Sequence, residues 1–378
     1  MNKRKLRVLV LGAGFGGLEI STILSERIGD RLDLTLIDKN DSFFFGFSKL
    51  DVMFGKRSVD SVKMYYHKIA KPGVRFRQET LVAIDPVKKQ VTTNKGKYSA
   101  NILVIALGAD YDINATPGLW EGGNEFYSFE GAVQLGNILP TFEKGNIIVG
   151  VTGFPFKCPP APSEAALLLH DYLLQKGIRD KCKISLVVPF ELPIPPSFGT
   201  SKALLTAFKE KNIEYIPEIM VGAIEPGKKL AVLDDGTELP FDLFMGIPEH
   251  RVPKVVEESG LLFDEWIPVD KKNLKTKFAG IYALGDVANM GTPKAGNFAE
   301  SAACIVAESI ISEFHGFESM EEHNGLGTCF VEFGEGNVAR VDVDFFLGSS
   351  SSGKHYEASK KIAAEKKSYE SSRKARWF

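Results

Sequence analysis

The stretch GFPFKCPPAPSE, Gly153 to Glu164, sets one cysteine among four prolines just before a run of helix-forming residues. A cysteine sulfur does redox or nucleophilic work as the thiolate, so its surroundings decide its chemistry. Prolines fix φ and remove backbone donors, which leaves this loop few conformations. Proline at a first helical position and serine as a cap put the helix start near Pro162 or Ser163. The positive end of that helix then lies close to the Cys158 sulfur and favours thiolate over thiol. The expectation is a reactive, low-pKa Cys158; the plain alternative is a small packed residue beside a turn. Glu164 stands on the first helical turn, where it either relays protons or serves as an N-terminal helix charge.

A second constellation lies at the N-terminus. LRVLVLGAGFGGLEISTILSERI reads as strand, glycine turn, helix, with Gly12, Gly14 and Gly17 in G-x-G-x-x-G spacing. The next strand, LDLTLID, ends on Asp38. This is the dinucleotide fingerprint with its full context. The first glycine makes the turn, the second admits a phosphate, the third lets helix pack on strand, and the acid takes ribose hydroxyls.

Positioning these groups requires an α/β chain. VRFRQ, TLVAID, QVTTN and NILVIALGA read as strands, the last a continuous apolar run ending at Gly108, as in a strand buried on both faces. A second α/β unit opens at GNIIVGVTGF and continues through a helix to CKISLVVP and SKALLTAFKEK. EPGKKLAVLDDGTELPFDLFMGIP reads as short strands turning at Asp235-Gly236. FAGIYALGDVANMGTPKAGNF follows, with a strand, a Gly285-Asp286 turn and a long helix from about Gly296. GTCFVEFGEGNVARVDVDFFLG predicts a hairpin turning at Gly334 to Asn337, SSSSG a flexible loop, and the end a basic helix.

Composition narrows the classes. With 378 residues, 44% hydrophobic and 25% charged, the chain has core enough for two or three globular domains. A net charge of −2 carries no nucleic-acid signature. The apolar runs are shorter than the ~18 residues that span a bilayer. The basic start leads into the glycine motif rather than a cleavage site, so a cytoplasmic chain is expected. The four cysteines, Cys158, Cys182, Cys304 and Cys329, make neither a secreted disulfide framework nor a C-x-x-C or zinc-ligand cluster, and no metal is expected. Cys182 begins a strand and Cys304 lies on an Ala-rich helix face, and neither is assigned chemistry, nor is any of the 6 histidines.

The order of these parts resembles the two-dinucleotide-binding-domain, disulfide-oxidoreductase-like flavoproteins. The fold that this implies is α/β, with tandem Rossmann-like, glutathione-reductase-like FAD/NAD(P)-binding domains and a small C-terminal extension. The expected division is 1–115 and 265–318 for an FAD-binding domain in two parts, 116–264 for a second Rossmann-like domain, and 319–378 for a C-terminal hairpin and tail. The glycine fingerprint, the ALGA segment and IYALGD each look like a family FAD motif. They imply a cofactor-binding set of Gly12, Gly14, Phe15, Gly17, Asp38, Lys39, Val82, Ala106, Gly108, Gly285, Asp286 and Lys294. Asp286 would meet the ribityl chain or phosphate, Val82 the adenine side, and Lys294 an anionic reduced flavin. No cysteine precedes Cys158, so FAD should be non-covalent.

In NADH-using members the second unit repeats the glycine motif. Here VTGFPFKCPP keeps Gly150 and Gly153 but sets Phe154 and prolines in the phosphate position, and the next strand runs into Pro189 rather than an acid. Bulky side chains and missing N–H groups spoil a pyrophosphate site. The C-P-P-A-P-x-E loop resembles the sulfide:quinone oxidoreductases and the flavin subunits of flavocytochrome c sulfide dehydrogenases. That resemblance makes Cys329, after the long helix, the second redox cysteine. It implies that hydrosulfide attacks a Cys158–Cys329 pair, leaving one sulfur persulfidated and the other a thiolate that passes two electrons to FAD, which discharges to a quinone. Cys158 would face the flavin and Cys329 would carry the growing polysulfide. Phe345, Phe346 and the Phe43 to Phe47 run are candidates to line a quinone slot.

The chain departs from that pattern in two places. Many members carry a third cysteine where this chain reads NEFYSFEGAV, with Phe129 in that vicinity. Quinone-reducing members end in apolar amphipathic helices, whereas this tail is rich in Lys and Arg. Such a tail reads as a peripheral contact on an anionic membrane face, a solvated helix, or a contact in a homodimer. Two rival functions are a type II NADH dehydrogenase-like enzyme and a flavin electron-transfer subunit pairing with a cytochrome; with no C-x-x-C-H, any haem would be the partner's.

Overall fold

The structure is a computed structural model that describes residues 5–347 and 352–378. The chain opens with β1 (Leu6–Leu11), α1 (Phe15–Ile28) and β2 (Leu32–Asp38). All of β1 except Arg7 is buried, which suits the centre of a sheet covered on both faces. After a short helix, α2 (Ser48–Met53), come β3 (Val74–Gln78) and β4 (Ile102–Ile105). The expected strand through Gly108 stops at Ile105, and ALGA leaves the sheet as a loop. The second unit holds β5 (Gly145–Val151), α3 (Ala161–Gln175), β6 (Cys182–Val187), α4 (Phe198–Glu210), β7 (Ile213–Ile216) and β8 (Leu243–Ile247). Then β9 (Ile281–Ala283) and α5 (Gly296–His315) lead to a hairpin, β10 (Leu326–Gly334) and β11 (Asn337–Asp344), and on to β12 (Ser352–Ser359) and α6 (Lys360–Trp377). Of the serine run, Ser349 to Ser351 lie outside the described residues, and Ser352 and Gly353 begin β12.

Two parallel sheets carry the architecture. The first has the order β9-β4-β1-β2-β3, so the late segment returns beside β4 with Ile281 opposite Leu103. The second has the order β7-β6-β5-β8. In the first sheet the glycine loop follows β1, ALGA follows β4 and Gly285-Asp286 follows β9, all at the carboxyl ends of parallel strands. That edge is where open α/β sheets hold ligands.

The last three strands form an antiparallel sheet that packs on α3. Two acids on one face of α3, Glu164 and Asp171, reach it: Glu332 N–H donates to Glu164 Oε1 at 3.0 Å, and Glu335 N–H donates to Asp171 Oδ2. Residues two turns apart share a helix face, so the spacing sets β10 along the helix.

The basic tail is folded back. In α6, Arg373 pairs with Glu300 at 2.8 Å, Arg376 with Glu19 at 2.9 Å and Lys366 with Glu332 at 2.7 Å. Trp377 is completely buried.

Candidate active site

The glycine loop has the shape a dinucleotide needs. Gly12 has φ +96°, and a Cβ there would overlap Ala106 O; a Cβ at Gly17 would overlap Gly12 O. At Gly14 nothing lies within 4 Å of a built Cβ, and the α1 N-terminus has no side-chain cap. Open space before uncapped N–H groups fits a phosphate. Space is also open at Gly108, where nothing lies within 4 Å of a built Cβ. Asp38 accepts from Ala13 N at 2.8 Å and from Asn40 N at 2.8 Å, so it first braces the loop itself. Burial raises its pKa, partly offset by those bonds and by Lys39. Lys39 stands 4.0 Å from Asp110 on the surface, and Val82 is 55% exposed on a small antiparallel sheet. Phe15 opens α1 and packs edge-on against Phe43, Phe45 and Trp377.

The corresponding loop of the second unit is filled. A Cβ at Gly150 would lie 3.0–3.1 Å from Val221 and Phe244 side chains, and one at Gly153 would lie 2.7 Å from the Glu249 backbone. Phe154 and Phe156 cluster with Phe190 over the loop. Protein occupies the space that stays open at Gly14.

Cys158 sits in this filled loop, one turn before α3. The helix begins at Ala161 with Pro160 in the cap position, slightly ahead of the expected start. Cys158 has φ +56°, a left-handed conformation that L-residues seldom adopt. Its N–H donates to Lys294 O at 2.8 Å and its carbonyl accepts from Ala161 N at 2.9 Å, which pin it. The low-pKa expectation is wrong for this structure. Burial raises the thiol pKa, Glu164 and Cys329 add to the rise, and Lys49 and Lys366 only partly oppose it. Desolvation outweighs the helix dipole because the dipole carries only about half a charge.

Cys329 lies in β10, half-buried and opposite Val341 of β11. Burial pushes its thiol up to about 12, with Glu164 and Asp342 contributing. Cys158, Cys329 and Glu164 share one electrostatic neighbourhood: both free thiols feel the Glu164 carboxyl, and Cys158 also feels Cys329. Glu164 is 3% exposed, and burial pushes its pKa up to about 7, against the pull of Lys366. Cys182 is buried at the start of β6 and Cys304 is exposed on α5.

Several residues near the sulfurs gave no sequence signal, Lys294 excepted. Lys49 is 7% exposed on α2; its Nζ donates to Tyr127 O and lies 5.6 Å from the Tyr127 ring. Burial first, then Lys157, lower its pKa to about 7, while Glu125 and Cys158 oppose. Lys157 packs on the Tyr111 ring at 4.7 Å, and its pKa is raised by Tyr111 and Asp286 in spite of burial. His250 is buried between the Tyr111 and Tyr127 rings, with Nδ1 on Pro248 O at 2.8 Å. Burial and the lysines push its pKa down to about 3, so it is neutral. Lys294 donates to Asp286 O at 2.6 Å and lies 3.1 Å from the Trp266 ring; burial lowers its pKa to about 8. Lys366 comes from the tail, far in sequence from any motif.

The aromatic candidates divide. Phe43 and Phe45 are buried around Phe15 and Trp377, as core. Phe44 stacks on Phe129, the residue near the expected third cysteine, at 4.4 Å. Phe47 lies under Lys366 at 4.6 Å, Phe345 packs on Phe298, and Phe346 is 38% exposed beside His323. Phe345 thus pairs with Phe298 and Phe346 with His323, and neither ring pairs with those of Phe43 to Phe47.

The pyridine nucleotide-disulphide oxidoreductase family model matches residues 168–303. Two parallel sheets and that match define an oxidoreductase of the class that uses a flavin or a nicotinamide dinucleotide. Within it, the chain is similar to the sulfide:quinone oxidoreductases. It is 27% identical to the sulfide-quinone reductase of Aquifex aeolicus (90% of this chain, 83% of the relative) and 24% identical to the mitochondrial sulfide:quinone oxidoreductase of Mus musculus (91% and 79%). The crystal structure of the Aquifex aeolicus sulfide:quinone oxidoreductase superposes with a TM-score of 0.86, covering 97% of this chain and 90% of that one at 23% identity. Type II NADH:quinone oxidoreductase of Staphylococcus aureus is 34% identical over 29% of the chain.

Proposed function

We propose that this protein oxidises sulfide to sulfur or polysulfide, with Cys158 and Cys329 as the redox pair and a quinone as electron acceptor. The observation that supports this reading is that Glu164 acts on both thiols while Cys158 feels Cys329. In the oxidised pair, hydrosulfide attacks one sulfur: a new S–S bond forms, the Cys158–Cys329 bond breaks, and the other cysteine leaves as thiolate. Glu164, titrating near neutrality, takes the proton of the incoming sulfide. Lys49, Lys157 and Lys366 offset the negative charge left on sulfur.

The cofactor is FAD, bound without a covalent link. Gly12, Gly14, Phe15, Gly17, Asp38, Lys39 and Val82 would hold its nucleotide end, and Ala106, Gly108, Gly285, Asp286 and Lys294 the end nearer Cys158. When bound, it supplies a two-electron acceptor. Residues 1–115 and 265–318 form the domain that holds it. No helix among the described residues is long and apolar enough to cross a membrane. Contact with quinone in a membrane would then be peripheral, from the cytoplasmic side. The tail offers Lys361, Lys367 and Lys374 outward for it, or for a second copy of the chain in a homodimer.

Anaerobic addition of sulfide should bleach the flavin absorbance, and a short-chain quinone should restore it. Flavin untouched by sulfide but reduced by NADH would defeat this reading.

A further inference from the structure

Helix α6 is polar and buries only three side chains, Ile362, Lys366 and Trp377. One of these is a charge in the sulfur site. Lys366 is 9% exposed, pairs with Glu332 at 2.7 Å, and also faces Glu164 and Asp51. A buried ammonium stays put only if its helix does, and of the two apolar side chains that α6 buries, Ile362 in the first turn and Trp377 in the last, the larger is at the far end.

That end is a latch. Glu19, on α1 and 4% exposed, accepts from Trp377 Nε1 at 2.6 Å and from Arg376 Nε at 3.0 and 3.1 Å. Arg376 also pairs with Glu26 at 3.2 Å, and Lys71 Nζ donates to Arg376 O at 2.5 Å. The Trp377 ring is completely buried, edge-on to Phe15 and Phe43 and stacked on Phe45. A carboxylate this buried is held by its partners, since removing one leaves an uncompensated charge. Tyr369 and Arg373 tie the middle of the helix to Glu300 of α5 at 2.7 and 2.8 Å.

We propose that Glu19, Arg376 and Trp377 are positioning residues for the sulfur site: their latch seats α6, and the seated helix holds Lys366 against Glu332 and Glu164. This rests on the reading of Glu164 as the proton-handling group for the two cysteines. The site is incomplete without the last turn of the chain.

The test reads Glu164 itself in the flavin-loaded protein, through the infrared C=O band of its protonated carboxyl, assigned by its loss in Glu164→Gln. The groups facing that carboxyl are Asp51 of α2, Tyr127, Cys158, Cys329 and Glu332 of β10, and Lys366 of α6. Lys366→Met removes the cation that lowers the midpoint, so the midpoint should rise by about 1 pH unit or more. The paired change Glu19→Gln with Arg376→Gln, which leaves no lone buried charge, should move it in the same direction. Arg376→Lys should leave it near the wild-type value. If the paired variant does not fold, Trp377→Phe, which keeps the ring but loses the indole donor, takes its place with a smaller upward shift expected. A wild-type midpoint in the latch variant that folds would overturn the proposal. A wild type that sulfide fails to reduce, with the infrared shifts as expected, would defeat the functional reading and leave the latch standing.

Discussion

Glu332 donates its backbone N–H to Glu164 Oε1 at 3.0 Å, while its own side chain accepts the Lys366 ammonium at 2.7 Å. One strand residue therefore joins the helix that follows Cys158 to the tail helix, three positions after Cys329 in the same strand. The Glu164 carboxyl is a fastener between α3 and β10, and in the proposed reaction it also handles a proton. Its loss acts on chemistry and on the placing of β10 together, which shapes what each substitution should do.

Cys158→Ser should abolish sulfide-dependent flavin reduction while the flavin stays bound. Cys329→Ser should do the same or leave slow residual turnover, because serine cannot form the S–S bond on which the transfer depends. Cys182→Ser and Cys304→Ser should be close to silent, since neither lies at Glu164. Stopped-flow absorbance at the flavin band measures all four. Wild-type rates in Cys158→Ser would reduce that residue to a packed turn.

Glu164→Gln should lower the sulfide-dependent rate by about 100-fold or more, in the range of a lost general acid–base group. In the wild type the rate should rise with pH through about 7, as Glu164 loses its proton. Hydrogen sulfide titrates in the same range, so the limb that disappears in Glu164→Gln is the protein's share. Stability has the opposite slope. The carboxyl pKa is raised from 4.5 to about 7 on folding, so its burial is tolerated below pH 4.5 and becomes costly as pH rises through 7. The loss is about 3 kcal/mol at most between those limits. Urea midpoints should fall from pH 5 to pH 8 in the wild type and fall less in Glu164→Gln; equal slopes would refute the assignment.

The parallel sheets were legible because a buried central strand such as Leu6–Leu11 has to be apolar on both faces, and because glycines with hard backbone contacts stand at fixed spacing. The crowding of the second loop was legible for the same reason: Phe154 and its prolines state what the space holds. The state of the cysteine was not. A helix start beside Cys158 argued for a thiolate, yet burial by distant segments raised the pKa. Lys49, Lys366 and His250 belong to the site only through tertiary packing, and no spacing rule connects Lys366 to Glu164. The partners of the tail were hidden for a related reason. Its surplus of cations looked like a surface for anions, but the partners of Arg373 and Arg376 are Glu300 on α5 and Glu19 on α1, chosen by the fold rather than by neighbouring sequence.

Gly17→Ala should cost the protein its flavin. The added Cβ would overlap Gly12 O, so the turn that presents the open face at Gly14 has to shift. Overpacking of this kind costs about 1–3 kcal/mol. The expected product is a folded, colourless protein with intact far-ultraviolet dichroism. In the wild type, acid precipitation should release all the yellow colour into the supernatant, since no cysteine precedes Cys158 to form a thioether. Flavin remaining with the pellet would contradict the non-covalent assignment.

NADH and NADPH should be poor reductants of the bound flavin. A second dinucleotide would need its pyrophosphate at the loop after β5, in front of uncapped N–H groups, as at Gly14. There the Glu249 backbone fills the space beside Gly153, Phe244 that beside Gly150, and the rings of Phe154, Phe156 and Phe190 cluster over the loop. Pro155, Pro159 and Pro160 have no N–H to offer. Relief of one obstacle leaves the others, so Phe154→Ala should not create NADH oxidation either. Anaerobic mixing with NADH in large excess should leave the flavin spectrum unchanged over the time in which sulfide bleaches it. Rapid reduction by micromolar NADH would show that phosphate binds elsewhere on the second unit, and the type II NADH dehydrogenase reading would then replace sulfide oxidation.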